Sequence, residues 1–204
     1  MGIWTAIKMT IVLTLLTGII YPIAIAGLAE LIFPFQAHGS LLTHDNHVVG
    51  SALIGQNFSS AGYFHGRPSA AGDKGYDATS SSGSNSGPTN KAFIDTVRTR
   101  VKALREEEPG LHNAAIPVDM VTASGSGLDP EISPASASAQ VERIAKARSL
   151  DEETVRALIQ AHTRGRWAGI LGEPGVNVLE LNLALDDRRG NRSPISTTAK
   201  GAPN

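Results

Sequence analysis

The sequence predicts an α+β protein: a single N-terminal transmembrane helix followed by one extracytoplasmic mixed α/β domain with a loop-rich first half. Three observations predict it. From Met9 to Ala29 run 21 residues without a charged side chain, 15 of them apolar. Beyond them, helical spacing of apolar residues recurs in three segments and strand-like alternation in others. Between these lies Gly39 to Pro88, rich in Gly and Ser, where little regular structure is expected.

The first element, residues 9–33, is the membrane helix. At about 1.5 Å per residue its uncharged run reaches roughly 30 Å, the thickness of a bilayer's hydrocarbon core. A helix satisfies its backbone polar groups there. Lys8 precedes the run, Glu30 follows it, and the next basic residue is Arg67. The positive-inside rule therefore places residues 1–8 in the cytoplasm and everything after Phe33 outside. Ala24-Ile25-Ala26 also fits the small-x-small pattern of a cleaved signal peptide. However, the apolar run continues through Leu28, Leu31, Ile32 and Phe33, which favours a retained anchor. Thr14, Gly18, Pro22 and Ala26 lie four apart, a stripe of small residues along which another helix can approach closely. A plain lipid-facing anchor with incidental small residues is the alternative. Pro22 has no N–H, so the Gly18 carbonyl loses its helical partner and a mild kink is expected.

The soluble domain spans residues 34–186. Strands are expected around Ser51–Phe58 and Ile116–Thr122. A loop or linker is expected over Ala78–Asn90, almost all small or polar. The first helix follows Thr89 or Asn90 as cap, turns Ile94, Val97, Val101 and Leu104 to one face, and stops at Pro109-Gly110. The second opens at Ser133-Pro134, cap then first-turn proline, and runs to Arg148. The third opens at Ser149, with Glu152 three residues on as a capping box, and carries Val155, Leu158 and Ile159 inward. The clearest strand is Val176–Leu185, where Leu179, Leu181, Leu183 and Leu185 alternate with Glu180, Asn182 and Ala184. Residues 187–204, polar and without period, are expected to form a disordered tail.

Composition narrows the function classes. Eighteen Lys+Arg against 19 Asp+Glu argue against a strongly basic nucleic-acid binder, and 5% aromatic residues against a base-stacking platform. With no cysteine, disulfides, Cys-zinc sites, iron–sulfur clusters and thiol catalysis are excluded. No catalytic constellation stands out. His44-Asp45-Asn46-His47 could hold a divalent metal on a helix turn, but a solvated loop is the favoured reading, and no metal site is expected. Asp73 and Asp77 with nearby serines lack the spacing of a calcium loop. Ser124-Gly125-Ser126-Gly127 lacks the leading glycine of a nucleophile elbow. Placed between an expected strand and helix, Ser124, Gly125, Ser126, Gly127 and Asp129 form a candidate interaction or anion loop. A tight turn in which Asp129 bonds its own loop is the favoured alternative. Tyr63, Phe64 and Arg67 are candidate partner contacts, and fold equally well into local core. Trp167 and Leu171 read as core or interface filler.

Taken in order, several runs are similar to one family. They are Gly50 to Phe58; Tyr63 to Ala70; Ser84-Asn85 with Gly87-Pro88 and Asn90; Val121 to Pro130; Val141, Arg143, Ala145, Ala147 and Arg148; Leu171 to Pro174; and Val176 to Asp186. Behind one N-terminal anchor, this order resembles the C subunit of the Kdp-type potassium-transporting ATPase. The resemblance implies a non-catalytic accessory subunit in a bacterial inner membrane, single-pass, with its N-terminus cytoplasmic and its domain periplasmic. It implies three partners: a potassium-channel-like A subunit, a P-type ATPase B subunit and a small F subunit. It implies a catalytic chaperone that raises the ATP affinity of the B subunit. No cofactor is expected to bind this chain tightly, and ATP is reached only through the partner ATPase subunit. The other classes open to the residues are a membrane-anchored extracytoplasmic hydrolase, built on a serine or on His44 and His47, and an anchored binding protein.

Overall fold

A computed structural model describes residues 2–188, and the chain divides into two compact units, one ending at Ser51 and the other beginning at Ala52. Met1 and the greater part of the expected tail, residues 189–204, lie outside the described residues.

The first unit is built on a helix running from Ile3 to Ile32, long and apolar enough to cross a membrane. It comprises α1 (Ile3–Leu15), a π turn (Leu16–Ile20) and α2 (Tyr21–Ile32). It starts six residues before the expected boundary at Met9. That boundary marks the last charge, Lys8, and a lysine is a good helix former that does not end a helix. The π turn is the local answer to Pro22. A proline ring clashes with the carbonyl four residues back, here that of Gly18. In the π turn the Tyr21 N–H bonds to the Leu16 carbonyl, an i→i+5 step taken just ahead of the proline. After the short α3 (Pro34–Ala37) the chain forms an antiparallel hairpin of β1 (Leu41–His44) and β2 (His47–Ser51). Asp45 and Asn46, both at positive φ, make its two-residue turn, the backbone twist a tight hairpin needs. His44 and His47 therefore sit opposite each other on a hairpin end rather than on a helix turn.

The second unit has a loop half and a helical half. From Ala52 to Asn90 the described backbone contains no helix or strand. The strand expected over Ser51–Phe58 is absent: β2 ends at Ser51, and the residues beyond run as turns and coil. α4 (Lys91–Glu107) begins where expected, with Asn90 Oδ1 accepting from the N–H groups of Ala92 and Phe93. Its inward face is only half-buried. The strand expected over Ile116–Thr122 is a 3₁₀ turn, Val118–Met120, because Asp119 turns its carboxylate onto Ser133 and Ser136. The second expected helix is two, α5 (Pro134–Ala139) and α6 (Val141–Arg148), broken at Gln140. α7 (Glu152–Ala161) starts at Asp151, whose carboxylate accepts from the Glu153 N–H. Ser149, the expected cap, adopts φ 54° and closes α6 instead. A small antiparallel sheet orders β3 (Glu131–Ile132), β5 (Gly175–Asn177) and β4 (Thr163–Arg164), with β5 in the centre.

The largest correction is α8 (Val178–Arg188), which replaces most of the expected strand Val176–Leu185 and takes in Asp187 and Arg188 of the expected tail. Val178, Leu181, Asn182 and Leu185 are buried together, the i, i+3, i+4, i+7 face of a helix. Asn177 caps it, accepting from the Glu180 N–H at 3.1 Å. The core joins this face to Val141, Ile144, Val155 and Val176, and Phe64 from the loop half lies fully buried with them.

Candidate functional site

Nearly forty residues without regular structure still carry backbone N–H and C=O groups that burial must satisfy. Buried side chains of α5–α8 and their junctions do so. At the α5–α6 break, Gln140 accepts from the His65 N–H (2.8 Å) and donates to the His65 carbonyl (3.1 Å). On α8, Asn182 accepts from the Phe64 N–H (2.8 Å) and donates to the Phe64 carbonyl (3.0 Å). Each amide thus acts as a one-residue strand partner for the segment Gly62–His65.

Two arginines on α6 complete the clamp. Arg143 donates to the Ala61 and Tyr63 carbonyls, to Gln140 Oε1, and through Nε to Glu108 Oε1 at 2.8 Å. Burial pushes the Glu108 carboxyl up, opposed by the Arg143 charge. Arg148 donates to the Gly62 and Leu185 carbonyls, pairs with Asp186 at 2.8 Å, and lies 4.5 Å from the Tyr63 ring centroid. Tyr63 donates its hydroxyl to the same carboxylate at 3.0 Å.

The glycine loop is held just as closely. Ser126 accepts through its carbonyl from the Ser82 N–H, and Ser69 donates to the Gly127 carbonyl at 2.6 Å. Gly127 (φ 67°) has no room for a side chain, since a Cβ would come within 2.7 Å of the Ala71 nitrogen. Asp129 accepts from its own loop at the Glu131 N–H and pairs with Arg67 at 3.0 Å. No strand leads into the loop, and the N–H groups of Gly127 and Leu128 bond to Ser124 O and Ser126 Oγ. Gly125 lies against Gly83, where a Cβ would stand 2.8 Å from its carbonyl oxygen. The stretch Ala78–Asn90 is thereby tied to the domain rather than running as a linker.

The sequence-singled residues thus have clear positions. Phe64 is interior, Tyr63 gives its hydroxyl to Asp186, and Arg67 gives Nη1 to Asp129 and Nη2 to the Ala123 carbonyl, while its buried Nε has no hydrogen-bond partner among the described residues. Ser124 Oγ is buried and has no hydrogen-bond partner among the described residues, so no base there activates it. No group of three or more His, Asp or Glu suited to a metal occurs among the described residues. Thr14, Gly18, Pro22 and Ala26 share the long helix, but the π turn takes up one residue more than an α turn. Spacing by four therefore no longer keeps Thr14 in line with Pro22 and Ala26. Trp167 and Leu171, expected as core or interface filler, are 74% and 55% exposed and so are not core. Sequence reasoning missed the roles of Gln140 and Asn182. No local signal marked them: Gln140 stands at the break between two helices, and Asn182 falls on the polar side of the expected strand.

One cleft of about 520 Å³ opens between the loop half and α4, lined by His65, Arg67, Lys74, Tyr76, Arg100 and Glu107 among others. Burial and the Arg143 charge hold His65 below its ordinary pKa, although Glu107 lies 3.3 Å away. Burial, then the Asp129 charge, push the Tyr76 hydroxyl up to about 12. It stays protonated and donates to the Arg67 carbonyl.

The family described as KdpC, the K+-transporting ATPase c chain, matches residues 3–187. The Potassium-transporting ATPase KdpC subunit of Polaromonas naphthalenivorans is 54% identical over 189 residues, 93% of this chain and 96% of its own length. That of Gemmatimonas aurantiaca is 58% identical over 181 residues, 89% of this chain and 90% of its own. That of Koribacter versatilis is 49% identical over 190 residues, 93% and 96%.

Proposed function

Because this chain belongs to the KdpC family, subunits of the K+-transporting ATPase, we propose that it is a non-catalytic accessory subunit that assists assembly and raises the ATP affinity of the P-type ATPase subunit. The long helix anchors it in the bacterial inner membrane with residues 1–8 cytoplasmic. The unit after Ala52 lies on the outer face, beside the channel-like A subunit, with the B and small F subunits completing the complex. ATP is bound by the partner, so the outer domain acts on it by favouring one state of the pump.

The observation that carries this reading is where the domain's polar side chains go. Arg143, Arg148, Gln140, Asn182 and Asp119 are all turned onto the domain's own backbone and side chains. That arrangement suits a rigid docking body, whose stiffness makes its preference for one pump state count.

The decisive test is topological. The native chain has no cysteine, so Ser80→Cys supplies one labelling site on an exposed loop. In intact cells lacking an outer-membrane barrier, a membrane-impermeant maleimide is expected to label it. Labelling only after the inner membrane is opened refutes the outer placement.

A further inference from the structure

The ring of His65 stands between two acceptors. Its Nε2 faces the Ser60 carbonyl at 3.2 Å, and its Nδ1 faces Glu107 Oε1 at 3.3 Å. A neutral imidazole carries one N–H, so it donates to one of these and turns a lone pair on the other. The imidazolium donates to both.

The surroundings of the ring are unequal. Glu107, its side chain 41% exposed, lines the 520 Å³ cleft together with His65. Arg143, by contrast, is 6% exposed and held by the Ala61 and Tyr63 carbonyls, Gln140 and Glu108. It cannot withdraw without breaking that clamp. Burial and the Arg143 charge oppose a charged ring, while the Ser60 carbonyl and Glu107 favour one.

The other charged groups around the ring leave it one way to move. Arg67, Lys74 and Arg100 share the cleft and add to the opposition, and Tyr76, also there, keeps its proton. Glu108 and Asp119 meet His65 at a second, small cavity. However, Glu108 is matched by Arg143, and Asp119 accepts from Ser133 and Ser136. Glu107 is thus the carboxylate that a charged ring can follow. A move toward it leaves Arg143 behind, gains water and gives up the Ser60 carbonyl. That carbonyl also pins the turn of the clamped segment, accepting from the Tyr63 N–H at 3.0 Å.

We propose that His65 is an acid-operated latch: on taking up a proton its ring leaves the Ser60 carbonyl and swings into the cleft with Glu107, and the clamped segment Ala61–His65 loosens. Histidine is the side chain that changes charge in mild acid. The latch is a property of the domain and does not rest on the assembly reading. With the domain on the outer face, as proposed above, the acid that works it is that outside the cell.

The test uses the full chain in detergent. With ring-labelled histidine, NMR follows the six imidazoles through pH, and the signal missing from His65→Gln is that of His65. Its midpoint is expected below the ordinary 6.5. Amide exchange of residues 61–65, measured against core residues 155–159 in the same sample, reports the loosening. For each pH unit by which the midpoint lies below 6.5, full protonation raises the open fraction about tenfold. Protection of residues 61–65 is expected to fall by that factor through the same midpoint. Glu107→Gln removes the carboxylate that favours the charge, at a solvent-reached position, so both transitions are expected to move together to lower pH. If His65→Gln fails to fold, the signal that Glu107→Gln displaces identifies the ring. A midpoint at or above 6.5 overturns the proposal. So do protection that stays level through the midpoint, the same fall in a folded His65→Gln, and a ring titration moved by Glu107→Gln with protection left behind.

Discussion

At the scale of single residues, the second unit depends on a few buried polar side chains that stand in for missing secondary structure. Asn182 is the sharpest case, because it is fully buried and makes both of its bonds to Phe64. Asn182→Leu strands a buried N–H and a buried C=O, a cost of about 3 kcal/mol. The melting temperature of the full chain in detergent is expected to fall by about 10 °C; a change under 2 °C would show that Phe64 finds other partners. Asp119 makes a pH prediction. Burial pushes its carboxyl up, but bonds from Ser136 and Ser133 outweigh this and hold it below its ordinary 3.8. A folded-state pKa below the unfolded one gives stability that is complete above the unfolded value and is lost as pH falls through the folded one. Between pH 5 and pH 2 the wild type should therefore lose more stability than Asp119→Asn, which lacks the titrating group. Glu108, pushed up by burial, works with the opposite sign in both proteins, and the difference between them isolates Asp119. Parallel acid limbs would remove Asp119 from the account.

At the scale of elements, what was legible in the sequence depended on whether the signal was local. The long apolar helix, the Asn90 and Ser133 caps and the inward face of α7 rest on neighbours along the chain, and all stand in the structure. The expected strand Val176–Leu185 failed because leucines at spacing two are a subset of both patterns. Residues 181 and 185 sit on the buried face of a helix as readily as on one side of a strand. The deciding signal was Asn177 with Glu180 three residues on, a cap followed by a glutamate. Asn177→Ala removes that cap and also the bond from Nδ2 to the Ala52 carbonyl, and should cost about 1–2 kcal/mol by chemical denaturation. The clamps on residues 61–65 were illegible for the opposite reason: their partners stand 75 to 118 residues away, and no local pattern reports them. On the long helix, Gly18 lies inside the π turn, with nothing within 4 Å of where a Cβ would sit. Gly18→Leu therefore leaves the lone helix undisturbed but excludes a close neighbour, and co-purification of the other subunits should drop. Full yield of the complex would mean that face meets only lipid.

At the scale of the whole molecule, the proposed role requires an effect to cross the membrane, and that requirement has a measurable consequence. A domain on the outer face does not touch a nucleotide bound inside, so it alters ATP affinity only by binding one state of the pump more tightly than the other. A tenfold gain in ATP affinity corresponds to about 1.4 kcal/mol of coupling. Such coupling is reciprocal: whatever this chain does to ATP, ATP must do to this chain by the same factor. The affinity of the full chain for a complex assembled without it is therefore expected to rise with saturating non-hydrolysable ATP, by the same ratio by which the chain lowers the nucleotide dissociation constant. Both ratios are read in the same detergent, one by titrating the chain and the other by titrating the nucleotide. The comparison is of equilibrium binding, because turnover parameters need not obey the reciprocity. Equal chain affinity with and without nucleotide, alongside a real shift in nucleotide affinity, is thermodynamically barred for a chain acting through the pump's states. Finding the chain's affinity unmoved and the nucleotide's unmoved as well would leave it a subunit for assembly alone.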